Sequence, residues 1–471
     1  MANIEEVPRG EEVRKEPLLA VLMAGVFVAI LNQTLLATAL PHIMEDLKIN
    51  ANTAQWLTTV FMLVNGVMIP VTAFLIGKFS TRSLFMAAIG LFAAGTIICA
   101  IAPGFSVLLI GRIIQASGAG IMMPLTQTVL FVIFPIEKRG QAMGLYGLVI
   151  SFAPALGPTL SGWIVGQYPW RALFYIVMPI ALIDLLLAFF FLKNVTKQTF
   201  PTLDIPSVIL STAGFGGILY AFSSAGSIGW GSAPFLFSIS IGAAALVLFV
   251  RRQLRLKEPL LEFKVFSYGI FTLTTALSVI VFISMMGSAT ILPIYMQNMH
   301  GFTAFESGLM LLPGAIVMGV MNPITGRIFD AVGGKWLAVV GLALVTASTF
   351  QFTVLTSETP FAYLAISHAV RMFGVAMVMM PVTTAGLNQL PEHLIPHGTA
   401  MSNTMRQVSG SIGTALLVTI MTGTALDVER YGMEGLVRGV NISFMVAGAL
   451  SAIGVIMAFF LKGAEAQEES D

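Results

Sequence analysis

Fourteen stretches of mostly apolar residues, each closed by charges, Pro or Gly, follow one another at 17–40, 54–77, 82–102, 105–132, 142–167, 171–192, 205–225, 232–251, 268–298, 304–328, 334–355, 359–386, 398–426 and 437–461. Each is longer than the roughly 18 residues an α-helix needs to cross the hydrocarbon of a bilayer. The pattern predicts an all-α integral membrane protein of fourteen transmembrane helices. Composition agrees: 56% of the 471 residues are hydrophobic and 10% charged, against roughly 45–50% and 25% in soluble domains. A large soluble domain is excluded. The longest polar connection, around 251–267, is basic and has room for one surface helix.

Charge then orients the bundle. With the N-terminus in the cytosol, the inside segments hold seventeen basic residues: Arg9, Arg14, Lys15, Lys78, Arg82, Lys138, Arg139, Lys193, Lys197, Arg251, Arg252, Arg255, Lys257, Lys264, Arg327, Lys335 and Lys462. The outside segments hold four, Lys48, Arg171, Arg430 and Arg438, and Arg112, Arg371 and Arg406 lie within spans. This asymmetry predicts both termini in the cytosol. The formal net charge of +1 suggests no nucleic-acid partner. Cys99 is the single cysteine, so no intramolecular disulfide is possible. The acidic first 16 residues lack the basic start of a signal peptide, so the first helix is expected to be retained.

The chain repeats itself. Pro70 to Arg82, at the end of helix 2, aligns without gaps on Pro323 to Lys335, at the end of helix 10, and Met122-Met-Pro-Leu-Thr126 answers Met379-Met-Pro-Val-Thr383. Both Met-Met-Pro segments are followed by Gly-x-Ala-Met, at Gly140 and Gly398. Parallel repeats of this kind are a transporter architecture. The expected organisation is a cytosolic tail (1–16), a six-helix bundle (17–198), two inserted helices (199–252), a cytosolic linker (253–267), a second six-helix bundle (268–461) and a tail (462–471).

Several motifs now carry a resemblance over nearly the full length. They are Leu31-Asn32-Gln33-Thr34 leading to Ala39-Leu40-Pro41, Arg82 after helix 2, Arg112 with Gln115, Gly157-Pro158 with Ser161-Gly162, and Trp170-Arg171. Together they resemble the fourteen-helix drug/proton antiporters of the major facilitator superfamily, the DHA2-type multidrug efflux proteins. The resemblance implies two six-helix bundles plus two inserted helices, alternating access, and export of lipophilic small molecules in exchange for protons. It further implies a monomer in a bacterial cytoplasmic membrane with no cofactor. Two departures bear on mechanism. Asn32 stands where many relatives have a proton-carrying Asp. In the loop after helix 2 the family's first Gly and its Asp are Ala73 and Gly77, whereas the copy after helix 10 retains Gly326, Asp330, Gly333, Gly334 and Lys335. Asp330 is therefore expected to serve as the conformational carboxylate, near cytosolic basic residues such as Lys335 or those of a neighbouring loop.

Ionisable residues within spans are the first functional candidates, because leaving them unpaired in hydrocarbon is costly. At 1.5 Å per residue Arg112, Arg371 and Arg406 lie ~9, ~15 and ~12 Å inside their helices. Arg112 reads equally as a substrate or charge-tuning group and as a structural donor to backbone carbonyls. For Arg371 the functional reading is favoured, with His368 a turn away on one face. Asp184, near the middle of helix 6, is either a proton carrier or a neutral or paired acid facing the inserted helices. Glu306 is a weaker coupling candidate and suits the N-terminus of helix 10. The resemblance places helices 4 and 12 on the central cavity and helix 13 beside it, so Asn32, Gln33, Arg112, Gln115, Met122, Met123, His368, Arg371, Met379 and Arg406 are the expected cavity residues. Met suits a pocket that adapts to varied lipophilic shapes.

Rival functions find little support. No phosphate loop, His-Glu-x-x-His or paired Cys motif is present, and Pro391 and Pro396 break the helix that would align His393 with His397 on a metal. A sensor or scaffold would need an output domain. An importer on the same fold is disfavoured by the Gly157-Pro158 element, although Ser161 replaces one of its glycines. Three buried arginines against few acids favour a neutral or anionic substrate over a dication.

Overall fold

The structure, a computed structural model, describes residues 15–461. Arg9, Arg14 and Lys462 of the charge pattern, and most of both expected tails, lie outside the described residues. The described residues form fourteen long α-helices and no strand: α1 (Lys15–Leu47), α2 (Ala51–Lys78), α3 (Thr81–Ala100), α4 (Phe105–Ile133), α5 (Arg139–Val165), α6 (Ala172–Phe191), α7 (Ile205–Ile228), α8 (Ala233–Gln253), α9 (Gly269–Asn298), α10 (Ala304–Val332), α11 (Lys335–Gln351), α12 (Phe361–Leu387), α13 (Ile395–Thr424) and α14 (Val428–Ala458).

Each apolar stretch became one helix, and the differences lie at the ends. Helix α1 runs through Pro41 to Leu47 instead of stopping at 40. Its extension is anchored at Asp46, whose Oδ2 accepts from Trp170 Nε1 at 2.9 Å and Arg171 Nη1 at 2.8 Å. Those bonds, Arg171 first, hold the Asp46 carboxyl below the ordinary carboxylate range. Helix α14 starts at Val428, nine residues before the apolar stretch, and is kinked where Gly432 adopts φ +63°, a backbone region open chiefly to glycine. The basic connection forms no surface helix. It carries a short 3-10 turn, Phe263–Ser267, and is tied down by Gln253, by a bidentate pair between Arg252 and Asp204 at 2.6 and 2.7 Å, and by a bond from the Glu262 N–H to His397 Nδ1. Arg252 holds Asp204 far below its usual range.

Among the described residues thirteen helices are long and apolar enough to cross a membrane. The exception is α13, whose Ser402, Asn403, Thr404, Arg406 and Ser409 are all buried. It packs between α9, α2, α14, α7 and α4, so its polar side chains meet protein rather than lipid. Helices α1–α6 pack on one another, as do α9–α14. The inserted α8 packs on α7, which lies against both α2 and α13. The most extensive seam between the halves joins α5 to α10. It is backbone on backbone: a Cβ on Gly140 or Gly326 would strike the carbonyl of the other.

Candidate functional site

Two ends of the bundle differ. At the base, where α1 begins and α4 ends, the halves are locked together. Asp330 at the end of α10 accepts from the Gly140 and Gln141 N–H groups at the start of α5, at 2.7 and 2.8 Å. The first amides of a helix have no partner within it and carry the positive end of its dipole. The carboxylate thus caps a helix of the opposite half, next to the basic loop residues Lys138 and Arg139 in sequence, and forms no ion pair with Lys335. Arg139 Nη1 donates to Asn388 Oδ1 at 3.1 Å, and Thr128 and Thr399 share a hydroxyl bond of 2.9 Å. Higher up, Asn403 Nδ2 donates to Gln127 Oε1 at 2.6 Å and Asn322 Nδ2 to Ser151 Oγ at 2.8 Å.

At the opposite mouth is a cavity of about 570 Å³, lined by α1, α2 and Pro158 of α5. Its walls include Gln33, Thr34, Met44, Gln55, Thr58 and Met62. Gly157 lets α5 approach this wall, since a Cβ there would strike Thr34 Oγ1. Of the expected cavity residues, Gln33 alone lines it. Asn32 is buried beside it, its Nδ2 unpartnered. The methionine expectation is corrected: Met122 is fully buried and Met379 nearly so, Met123 lends its carbonyl to Tyr146, and the thioethers at the cavity are those of Met44 and Met62.

The buried arginines separate into two kinds. Arg112 donates to the Leu57 carbonyl at 3.2 Å and to Gln115 Oε1 at 2.9 Å, lies 4.2 Å from the Phe61 ring centroid, and Gln115 continues to Thr96 Oγ1 at 2.7 Å. It ties α4 to α2 and α3. Arg371 donates to Thr349 Oγ1 at 3.1 Å and to Ser284 O and Oγ at 2.6 and 2.8 Å, tying α12 to α11 and α9. The repeat offset, 323 − 70 = 253, carries Thr96 onto Thr349, so each half uses the same threonine for its buried arginine. Arg112, Gln115 and Arg371 thus brace helices within one half, with Arg112 Nη2 and Arg371 Nη1 left buried and unpartnered. Arg406 differs. It reaches Asn403 Oδ1 at 2.5 Å, and through Asn403 the other half.

Asp184 is buried with both oxygens unpartnered. It does not face the inserted helices, because α6 packs on α3 and α1; a Cβ on Gly25 would come within 2.9 Å of its Oδ2. His368 is buried against Gly314 of α10 with Nδ1 unpartnered. Glu306 is surface structure: its Oε2 accepts from Thr303 N and Oγ1 at 2.8 Å in a capping box. Arg82 donates to the Phe189 carbonyl at 2.5 Å and stacks on that ring, docking α3 to α6. Lys335 opens α11 and makes no ion pair among the described residues. Where the first copy of the motif has Gly77, its carbonyl accepts from Thr199 and Phe200 N–H, and a Cβ would press on Thr199 Oγ1 at 3.0 Å. The connector to the inserted helices occupies the space a carboxylate would need.

A census of ionisable groups overlooked Gln127, Asn403, Asn322 and Ser151, which bridge the halves. Their signal was present, as amides and hydroxyls inside spans are the usual interhelical ties.

A sequence profile of the Major Facilitator Superfamily matches residues 22–414. The chain belongs to this superfamily. It is similar to the MFS-type transporter YcnB of Bacillus subtilis, 57% identical over 98% of this chain and 97% of that one. It is also similar to the lincomycin resistance protein LmrB of Listeria monocytogenes, 42% identical over 98% of this chain and 100% of LmrB. The superfamily fold is shared with the human organic anion transporter MFSD10, at a TM-score of 0.66 and 14% identity, covering 93% of this chain and 100% of that one. The protein is therefore a multi-pass membrane transporter of the superfamily's drug-efflux branch and not an enzyme.

Proposed function

We propose that this chain is a secondary active exporter of lipophilic small molecules, neutral or anionic, that works as a monomer in the bacterial cytoplasmic membrane by alternating access in exchange for protons. The observation that carries the reading is the inequality of the two ends: a base sealed by Asp330, Arg139, Thr128 and Asn403, and a mouth opening on the Gln33 cavity. With both termini cytosolic, as the basic residues argue, this is an outward-facing state. Proton exchange needs a group that gains and loses a proton without breaking other ties. Asp184 and His368 fit, each buried with unpartnered polar atoms.

A lipophilic carboxylate is the first substrate to try, with lincomycin, from the name of the LmrB relative, as the amine-bearing comparison. Proton-driven accumulation in everted vesicles, with none in right-side-out vesicles, is expected; uptake only in right-side-out vesicles would make the protein an importer. Deleting the gene is expected to sensitise cells to neutral or anionic compounds. Sensitisation confined to quaternary ammonium dyes would refute the substrate class.

A further inference from the structure

Arg406 lies eleven residues into α13, about 16 Å from the base at 1.5 Å per residue, on a helix that packs against both halves. It is 5% exposed and donates to Asn403 Oδ1. Among the described residues no carboxylate bonds to it, and the titratable side chain in electrostatic range is the phenol of Tyr146 on α5. The hydrogen bonds then dictate which way the amides point. Because Asn403 turns its oxygen to the guanidinium, its Nδ2 must face away, and it donates to Gln127 Oε1 at 2.6 Å and to the Thr399 carbonyl at 2.8 Å. Gln127 Oε1 is thus engaged by Asn403. What remains is its Nε2, fully buried and without a partner. The relay therefore has a donor at each end: the Arg406 guanidinium, bonded here to Asn403 Oδ1, and the Gln127 NH₂ with no acceptor. A buried donor left unmade is costly, and a group that satisfies both must be rich in acceptors and carry negative charge.

We infer that Arg406, Asn403 and Gln127 form the seat for the anionic group of the substrate, a carboxylate or a similar oxyanion on a lipophilic body, at the seam of α4 and α13. This rests on the export reading above and narrows it to lipophilic anions. When the base opens, α4 and α13 separate, the Asn403–Gln127 bond is lost, and the donors of both halves face the site together. An anion that engages them replaces the bond that the halves otherwise make with each other.

The test uses the full-length protein purified in detergent and two fluorescent probes, dansyl-aminoundecanoate and its methyl ester, titrated to give Kd. The wild type is expected to prefer the carboxylate. Arg406→Gln is expected to weaken carboxylate binding at least tenfold and leave the ester unchanged, Arg406→Lys to be intermediate, and Gln127→Glu, which supplies the anion internally, to lose the carboxylate selectively. No carboxylate preference in the wild type, or equal changes for both probes in monodisperse Arg406→Gln and Gln127→Glu, overturns the proposal. The export reading is judged separately in vesicles: selective binding without efflux would sink export and leave the seat standing.

Discussion

Replacing Asp330 with Asn tests the base lock with almost no change of shape. Two backbone N–H groups, of Gly140 and Gln141, end on this one carboxylate. A hydrogen bond to a charged group contributes about 1.5–3 kcal/mol, and the negative charge at the start of α5 adds up to ~1 kcal/mol through the helix dipole. The amide keeps one acceptor and turns an NH₂ against the second N–H. A net loss of about 2 kcal/mol from the base-closed state is a reasonable sum, equivalent to about a 30-fold shift toward opening. The buried Ser151, which accepts from Asn322 across the same seam, is a suitable reporter when changed to Cys after Cys99 has been replaced by Ala. Modification of that thiol from the base side should run about 30-fold faster in Asp330→Asn, with export impaired and membrane insertion normal. Equal modification rates, or a silent Asp330→Asn alongside disabling changes at Arg82, would refute the reasoning.

Cysteines placed at 225–232 and 427–436 should react with an impermeant thiol reagent on intact cells; reaction only after permeabilisation would invert the bundle. Asp184→Asn and His368→Gln are expected to reduce substrate-induced proton release in detergent and to flatten the pH dependence of efflux. A double variant with normal proton-coupled efflux would remove both from the coupling step. Arg112→Leu, which strands the Leu57 carbonyl and Gln115, should cost about 1–3 kcal/mol of stability, seen as a lower Tm, with substrate preference unchanged. A changed preference at normal Tm would return Arg112 to the binding site.

Helix number, the repeat and the surviving copy of the loop motif were legible because they depend on residue type and spacing alone. Position along the helix was legible too: Arg112, Arg371 and Arg406 fall well inside α4, α12 and α13, and all three are buried. What depth does not contain is azimuth. Arg112 and Arg406 look alike along their helices, yet one turns to Leu57 within its own half and the other to the relay that crosses between halves. That difference depends on which neighbour faces each helix, a tertiary fact. Of the two readings of Asp184, the one that faced it to the inserted helices fell for the same reason, since nothing in helix 6 says that it lies beside Gly25. Gly77 looks like a decayed motif in the sequence. In space it is where Thr199 and Phe200 dock, so the loss accompanies the insertion of two helices.

Helix α7 touches both halves, stacking Tyr220 on Trp56 of α2 at 5.7 Å while the loop after it donates from Trp230 Nε1 to Thr419 of α13 at 2.6 Å. The hairpin is in effect a strap fastened at both ends. If the halves rock, it can travel with only one of them, so one fastening must slip and re-form in every turnover. In that motion, Trp56, Tyr220, Trp230 and Thr419 are where a substitution would change the speed of cycling. A hairpin fastened this way would act as a brake on the rocking of the halves.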